Sequence, residues 1–336
     1  MNLEFHYWIT GIIAERAGFI DDEPQIIAYS SQYVDDNDFE ILVFDDELDV
    51  VPSYISQVSQ TMNILLPRKD IMRIYPLFHF IPGDQPQISN RQDGRSHPMN
   101  TTPDSSYANT LMQYTLKNAA SRYKAGDKGG LYRLGVMTHA FVDTWAHQNF
   151  IGWFDDFNAI GSNIIPDIGH ADALHHPDWV GHRWNDQRLK VYDVDNISRF
   201  LGAARKTYAY FADFRQQVTG KTLENNWAGL ESDLKIIFGN SYSGDDEIGA
   251  DARLAQYKCI SKMLTGYDEH EWLSNATDQD RVFNGATDGY DQKYVWKDAN
   301  SKANTDWHRF QEAVKDHVIT ATNVLRPVFA QAGIVL

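Results

Sequence analysis

Residues 131–150 read Leu-Tyr-Arg-Leu-Gly-Val-Met-Thr-His-Ala-Phe-Val-Asp-Thr-Trp-Ala-His-Gln-Asn-Phe. Apolar positions recur there at helical spacing: Leu131, Leu134, Val136, Met137, Ala140 and Phe141, then Trp145 and Ala146. Set into that pattern are His139, Asp143 and His147, at intervals of four. Four residues turn a helix by roughly 400° and raise it about 6 Å, so the three side chains share one face and drift about 40° per step. One ion cannot reach both histidines across two turns. Asp143, with two carboxylate oxygens between them, can bridge one ion near His139 and another near His147. Two imidazoles and a carboxylate suit zinc, which takes nitrogen and oxygen ligands. The alternative is a hydrogen-bonded His–Asp–His stripe inside a helical core.

A chain of 336 residues can bury a large core, as one big domain or two smaller ones. Its 46 acidic and 30 basic side chains leave a formal charge of −16, which repels nucleic-acid phosphates and anionic headgroups, and no basic stripe counters it. Nucleic acid is therefore a disfavoured partner. Bound divalent metals would offset part of the charge and keep a phosphate-bearing substrate in play. Cys259 is the single cysteine, which excludes an intramolecular disulfide framework and a cysteine-rich zinc site. The opening Met-Asn-Leu-Glu-Phe-His-Tyr-Trp has neither the basic nor the apolar region of a secretory signal, and no apolar run approaches the ~20 residues of a membrane span. The expectation is a soluble protein without a transmembrane segment, cytoplasmic or exported by a non-classical route.

Taken in order, residues 2–18 place His6 among Phe5, Tyr7 and Trp8, with Ile9, Ile12, Ile13 and Ala17 on a short amphipathic helix that Gly18 stops. A second helix is predicted from Glu23 to Tyr33, ending in the acidic run Val34-Asp35-Asp36-Asn37-Asp38, a solvated end in the ordinary reading. Residues 39–52 have some strand character. Two prolines make residues 70–82 extended or turning, and they set His79 between Phe78 and Phe80, where a lone histidine is ordinarily a satisfied core residue. Residues 83–106 form a long loop with His97 exposed. A helix from Tyr107 to Lys124 packs antiparallel to the central one. From 157 to 187 no period holds, yet His170, His175, His176 and His182 fall there with Asp172 and Asp178. Metal binding in this stretch is expected, His170 and Asp178 first, with Asp172, His175 and His176 behind them. Helices are predicted over 195–218, 222–239, 251–266 and 304–331, a polar turn over Ser241–Gly249, and a long surface loop with short helical pieces over 267–303.

His6, Asp35 or Asp36, His79, His139, Asp143, His147 and His170 together make a set of nitrogen and oxygen donors that fits a two- or three-metal phosphodiester site. There the metals would polarise the phosphoryl oxygen and acidify a water, and a carboxylate outside the ligand set would orient that water. No Gly-x-Ser-x-Gly elbow, phosphate-binding loop or dinucleotide fingerprint is present.

His139-x-x-x-Asp143-x-x-x-His147-x-x-Phe150, with the early Phe-His-Tyr and Gln-Tyr-Val-Asp-Asp segments, resembles a bacterial family related to the zinc-dependent phospholipases C, among them the metallophospholipases C of Legionella and Pseudomonas. More distantly it is similar to the phospholipase C and single-strand nuclease superfamily. The resemblance covers roughly residues 3–180 and implies an all-α, multi-helix fold with long loops and minor β, holding two or three zinc ions. With no internal repeat and no convincing linker, one domain over 1–336 is expected, with a metal-site half 1–190 and a helical completion 191–336. By the resemblance His139 and Asp143 bind paired ions bridged by Asp143, His147 binds the remaining ion, His79 completes the first shell, His6 serves the paired site, and Asp35 or Asp36 is the general base.

Three departures stand beside the resemblance. The superfamily spaces its second helical histidine further from the aspartate. It often uses a processed N-terminal Trp amine as ligand, whereas this chain begins five residues before His6. Its last pair is His-x-x-x-Glu, where this chain has Leu174 after His170 and leaves Asp172, His176 or Asp178 to substitute. The activity implied is hydrolysis of phosphodiesters, a phospholipase C acting on a zwitterionic phospholipid with peripheral membrane contact, and Tyr7, Trp8, Trp145, Trp153 and Trp179 are candidates to frame a choline headgroup. A zinc-dependent nuclease, a small-molecule phosphodiesterase or phosphatase, and a metal-stabilised helical module without turnover are the alternatives.

Overall fold

The computed structural model describes residues 1–61, 63, 68–84, 90–161, 168–221, 226–284 and 289–334. In chain order a π-helical stretch Glu4–Ile9 runs into α1 (Thr10–Arg16), followed by α2 (Glu23–Asp36), β1 (Leu42–Phe44), β2 (Tyr54–Ile55), α3 (Arg68–Ile71), α4 (Tyr75–Phe78), α5 (Ser106–Lys124) and α6 (Gly129–Ala146). After them come β3 (Arg183–Asn185), β4 (Asp193–Asp195), α7 (Asn196–Thr219), α8 (Trp227–Phe238), α9 (Ala250–Ile260), α10 (Glu271–Ala276), β5 (Thr277–Asn284), β6 (Gly289–Trp296) and α11 (Asp306–Gln331). The protein is mostly helical with two small sheets.

Every residue of α6 is buried, as befits a helix that is apolar nearly all round. α2, α5, α7 and α11 pack about it. Several of its polar side chains are engaged: Arg133 reaches Asp316 at 3.1 Å, Thr138 donates to the Leu134 carbonyl and Thr144 to that of Phe141. The connection from α5 is residues 125–128 with Gly126 at φ +81°, so the two helices lie antiparallel, as the sequence implies. Ser105 caps α5 by accepting from the Ala108 amide, and Asp195 caps α7 by accepting from Ile197.

α2 meets α6 at close range at Gly135. A Cβ there would stand 2.5 Å from the Ile27 carbonyl and 2.5 Å from Ser30 Cβ. Only a glycine lets α2 lie this near, and α2 carries Ser31 and Asp35, four residues apart. Gly135→Ala is expected to destabilise the fold by about 1–3 kcal/mol, the scale of overpacking, despite alanine's better helix propensity. A chemical denaturation curve checks this; a midpoint equal to or above the parent's would mean that the two helices can part without cost.

Elsewhere the structure departs from the sequence reading in five places. The first helix begins at Glu4 as a π-helix, a wide turn often found at functional sites, and it ends before Gly18 at φ +86°. The second helix runs on to Asp36, so the acidic run is its last turn rather than a solvated end. His97 is half-buried against the Trp153 and Phe157 rings instead of exposed. Residues 267–303 are not a surface loop: β5 and β6 pair antiparallel from Thr277↔Trp296 to Asn284↔Gly289, and β6 runs parallel to β1 in the order β2-β1-β6-β5. These strands carry Asp, Gln and Lys where apolar alternation would announce them. Trp296 is buried, and the Lys293 ammonium donates to the Glu47 and Asp49 carbonyls. The start of the helix expected at 222 lies outside the described residues; α8 is described from Trp227, while α9 stops at Ile260, short of the expected 266. Among the described residues no helix is long and apolar enough to cross a membrane.

Candidate metal centre

Five histidines and three aspartates converge beneath the end of α6. His139 and Asp143 project from the helix itself, and His147 is its C-cap residue, with its amide bonded to the Asp143 carbonyl at 2.8 Å. His6 comes from the π-helical stretch, Asp35 from the last turn of α2, and His79 from the residue after α4. His170 and Asp178 come from the irregular segment between α6 and β3. The donors fall into three groups, each with ligand atoms within 4.8 Å of one another: His6, Asp35 and His139; His79, His139 and Asp143; His147, His170 and Asp178.

Four of these rings are tied from behind. His139 Nδ1 lies 2.7 Å from the Ser31 carbonyl, His79 Nε2 3.0 Å from that of Ser59, His147 Nδ1 2.8 Å from that of His79, and His170 Nδ1 2.8 Å from that of Leu174. A carbonyl can only accept, so the nitrogen facing it carries the proton and the other nitrogen presents a lone pair. Those second nitrogens all face inward. His79 Nδ1 and His139 Nε2 stand 3.1 Å apart, and Asp143 Oδ2 is 3.2 and 3.3 Å from them. His147 Nε2 and His170 Nε2 lie 3.1 and 3.4 Å from the two oxygens of Asp178. Both ring nitrogens of His6 are buried without a hydrogen bond, and its Nε2 is 3.1 Å from Asp143 Oδ1. Acceptors packed against acceptors in a dry site need a cation between them. The Met1 amino group stands in for one, 2.5 Å from Asp143 Oδ1 and 3.1 Å from Asp178 Oδ1. A carbonyl behind each of the four tied rings fixes its tautomer and aims its free nitrogen, which is how metal sites orient histidine ligands.

The electrostatics agree with this for His6, His79 and His170. Burial, then the neighbouring His139, pushes His6 down to about 4; burial pushes His170 to about 4 and lowers His79. These imidazoles are neutral at pH 7, the form a metal binds. Burial would raise Asp143, but the charges of His147, the Met1 amine, His139 and His6 hold it well below the ordinary carboxylate range. Asp178 is lowered likewise, against burial, by the Met1 amine and His170. For His139 the pull of Asp35 and Asp143 outweighs burial and raises it.

The chelator-treated protein should lose stability as the pH falls below neutrality. His6 and His170 are depressed from 6.5 to about 4, so the unfolded chain binds their protons first as pH falls. Their stabilisation is complete above pH 6.5 and lost toward pH 4, about 2 kcal/mol for each of them by pH 5. His139, shifted upward, offsets part of it. Thermal melts in chelator should show the midpoint falling from pH 7.5 to pH 5; a flat or rising midpoint would contradict buried neutral imidazoles.

All seven sequence-derived ligand candidates are in this cluster, with two changes of detail. The spacing alone suggested that Asp143 bridges ions near His139 and His147. Instead His147 turns its free nitrogen to Asp178, because its Nδ1 is given to the His79 carbonyl, and the second oxygen of Asp143 meets His6. Of the two aspartates proposed as base, Asp35 faces the cluster, 3.5 Å from His139 Nε2 and 3.8 Å from His79 Nδ1. Asp36 faces away, where it accepts from Gln32 at 3.1 Å and from the Tyr267 hydroxyl, and burial raises its pKa. Asp172 accepts from the Ile160 amide through Oδ2 at 2.9 Å and lies outside the three donor groups. Leu174, at the place of the superfamily's glutamate, contributes its carbonyl, from a backbone at φ +50° that few side chains tolerate.

A cavity of about 450 Å³ opens on the cluster, walled by Tyr75, Phe80, Ile168 and Trp179 and edged by Gln60 and Glu247. Of the five aromatics proposed to frame a headgroup, Trp179 alone borders it; Tyr7, Trp8, Trp145 and Trp153 are core residues. Phe80 stacks on His147 at 4.6 Å, and its place beside His79 was the available signal. Glu247, from the half that carries no histidine cluster in sequence, is pushed up to about 7 by burial and by Glu4. No spacing pattern pointed to it, because it reaches the cavity through tertiary packing.

The fold and the cluster define a mostly helical protein with a buried histidine–aspartate centre able to hold metal ions. The chain belongs to a family of unknown function, DUF6765, which matches residues 1–325 and so takes in both the cluster and the C-terminal helices. Nothing matches it among curated proteins or among solved structures.

Proposed function

We propose that the chain is a zinc-dependent hydrolase of phosphodiesters, of the phospholipase C kind. The observation that carries this reading is the acceptor-only core: inward lone pairs of His79 and His139 at 3.1 Å, with Asp143 against both. His79, His139 and Asp143 would hold one ion, His6 with the other oxygen of Asp143 a paired one, and His147, His170 and Asp178 a third. An all-nitrogen-and-oxygen donor set suits zinc. Zinc bound there would supply Lewis acidity and acidify a water.

Asp35 is a quarter exposed toward the cavity and is steadied by Gln60 Nε2 at 3.3 Å from its Oδ1. It would take the proton of the attacking water. Donor groups this close together and an open cavity of headgroup size favour a phosphodiester carrying a small polar group. On its other side Asp35 also borders a groove of about 910 Å³ lined by Asp36, Asp38, Glu269 and Asp278 among others. That acidity suits a substrate with a cationic end, as in a zwitterionic phospholipid, and disfavours a polyanion.

Untagged protein, stripped with chelator and reloaded with zinc, is expected to bind two or three equivalents in this centre by elemental analysis. It should then hydrolyse phosphatidylcholine in mixed micelles and a chromogenic phosphodiester, and lose both activities on stripping. Cleavage of single-stranded DNA in place of the lipid would move the substrate to nucleic acid. Full zinc loading with no turnover on any phosphodiester would leave a metal-stabilised module, and no zinc at all would end the reading.

A further inference from the structure

We propose that one edge of the metal-centre cavity, formed by Phe154, Ile168, Ala171 and Leu174, seats the protein on a zwitterionic phospholipid bilayer, so that the lipid is taken from the membrane surface and not from solution. The inference rests on the phospholipase C reading for its occupant and adds the surface through which that substrate arrives. Phe154 is 65% exposed and Leu174 is 50% exposed, whereas Ile168 is buried. Phe154 and Ile168 face each other across an isolated antiparallel bridge. Residues opposite one another in such a pair carry their side chains on the same face. Ile168 lines the cavity, so Phe154 stands on the cavity side of the bridge.

The edge is continuous and fixed. The Ala171 amide bonds the Ile168 carbonyl at 3.0 Å, and the Leu174 amide bonds the Ala171 carbonyl at 3.0 Å. Between Ile168 and His170, Gly169 at φ +53° lies against the cavity wall, where a Cβ would stand 2.7 Å from Phe80 Cζ. Leu174 gives its carbonyl to His170 Nδ1 at 2.8 Å while half of its surface stays in solvent. These backbone groups bond one another and a ligand ring, as a surface entering lipid headgroups requires. Exposed apolar residues scattered singly are ordinary. These two sit on one laced edge of a cavity whose inner walls, Tyr75, Phe80 and Trp179, continue the apolar surface.

Charge selects the kind of bilayer. Among the described residues no lysine or arginine lines the cavity, while Asp35 and Glu247 do. Arg95 reaches the segment after Phe154 but is held there by Asp156 at 2.7 Å. With a formal charge of −16 the protein is repelled by an anionic membrane surface, whereas the outer ammonium of a choline or ethanolamine headgroup meets carboxylates. Among the described residues no helix can cross a membrane, so the contact is a peripheral one.

The test is sedimentation of zinc-loaded protein with vesicles of a phosphonate analogue of phosphatidylcholine, whose P–C bond in place of the scissile ester resists cleavage. Phe154→Ser should weaken binding about tenfold, the scale of withdrawing one large apolar side chain from contact, and slow hydrolysis of phosphatidylcholine vesicles by a like factor. Hydrolysis of a short-chain phosphatidylcholine dispersed as monomers should change by less than about twofold, as for an exposed substitution away from the ligands. Leu174→Gln, which keeps the carbonyl on His170, should weaken vesicle binding as well. Phosphatidylglycerol mixed into the vesicles should weaken binding of the wild type. The control is Leu48→Ser with Val50→Ser, on the loop between β1 and β2, which removes side chains 89% and 91% exposed that do not line this cavity; its vesicle binding should hold. Wild-type binding and vesicle hydrolysis in Phe154→Ser overturn the proposal, as does tighter binding to the anionic vesicles or a loss confined to the control. Self-association that depends on Phe154, with no vesicle binding, gives the edge to a second copy and overturns it too. Failure of the catalytic reading looks different: vesicle binding that depends on Phe154, with no phosphodiester cleaved.

Discussion

Asp143→Asn is expected to be the most damaging single substitution in the protein. Asp143 is 1% exposed, and its two oxygens face different donors at 3.1–3.3 Å, nearer than those of Asp35: Oδ2 toward His79 and His139 and Oδ1 toward His6. An amide is nearly the same shape, but it puts an NH2 where one of those faces needs a full negative charge. Zinc bound by the centre should fall from two or three equivalents to one, held by His147, His170 and Asp178. Turnover should fall by about 10²–10³-fold or more, the scale of removing a fixed charge that stabilises a developing one. The stripped variant should also melt differently from stripped wild type, because the Met1 amine loses an ionic partner at 2.5 Å. Elemental analysis beside the lipid assay reads both effects. Unchanged zinc content would show that Asp143 is a hydrogen-bonding residue in a helical core, the alternative that its place on α6 allowed from the beginning.

The parts of this centre that local sequence could reveal are those whose geometry is local. His139, Asp143 and His147 share a face because α-helical spacing requires it, and the apolar residues around them announce a buried helix. His6, His79, His170 and Asp178 gave weaker signals, as donor residues in aromatic or irregular surroundings, and the resemblance to the phospholipases C tied them to the same site. Resemblance reached the ligands but not their supports. The carbonyls of Ser31, Ser59 and Leu174 fix three of the ring tautomers, and a main-chain group leaves no mark in a residue pattern. Glu247 and Tyr75 reach the cavity by tertiary packing. The β5–β6 pair leaves no period in the sequence because its strands are polar where a half-buried hairpin would alternate, although Asn284-Gly285 and Asp288-Gly289 are turn-forming pairs. The choice between Asp35 and Asp36 could not be made by counting, since adjacent helical residues point about 100° apart and either could face inward until α2 is docked at Gly135.

That docking gives the second large effect. Asp35→Asn is expected to lower turnover by about 10²–10⁴-fold, the contribution of a positioned general base, while zinc content stays at the wild-type value. Its carboxylate lies farther from the rings than Asp143 does, at 3.5, 3.8 and 3.9 Å from His139, His79 and His6, and it opens on the cavity instead of closing the cluster. Such a group can lose its charge without releasing the ions. Asp36→Asn, one residue on, is the matched control: its carboxylate is occupied by Gln32 and the Tyr267 hydroxyl, so turnover should stay within about threefold, the change being a substitution at an outlying hydrogen bond. Gln60→Ala should fall between them, since it frees Asp35 without removing it. Metal content separates the remaining possibility, because Asp35 also belongs to a donor group with His6 and His139. If Asp35→Asn loses zinc and activity together, Asp35 is a ligand and the base must be sought elsewhere on the cavity wall. If Asp36→Asn is the inactive variant, α2 sits a step further round than the contact at Gly135 allows, and the docking of that helix is wrong.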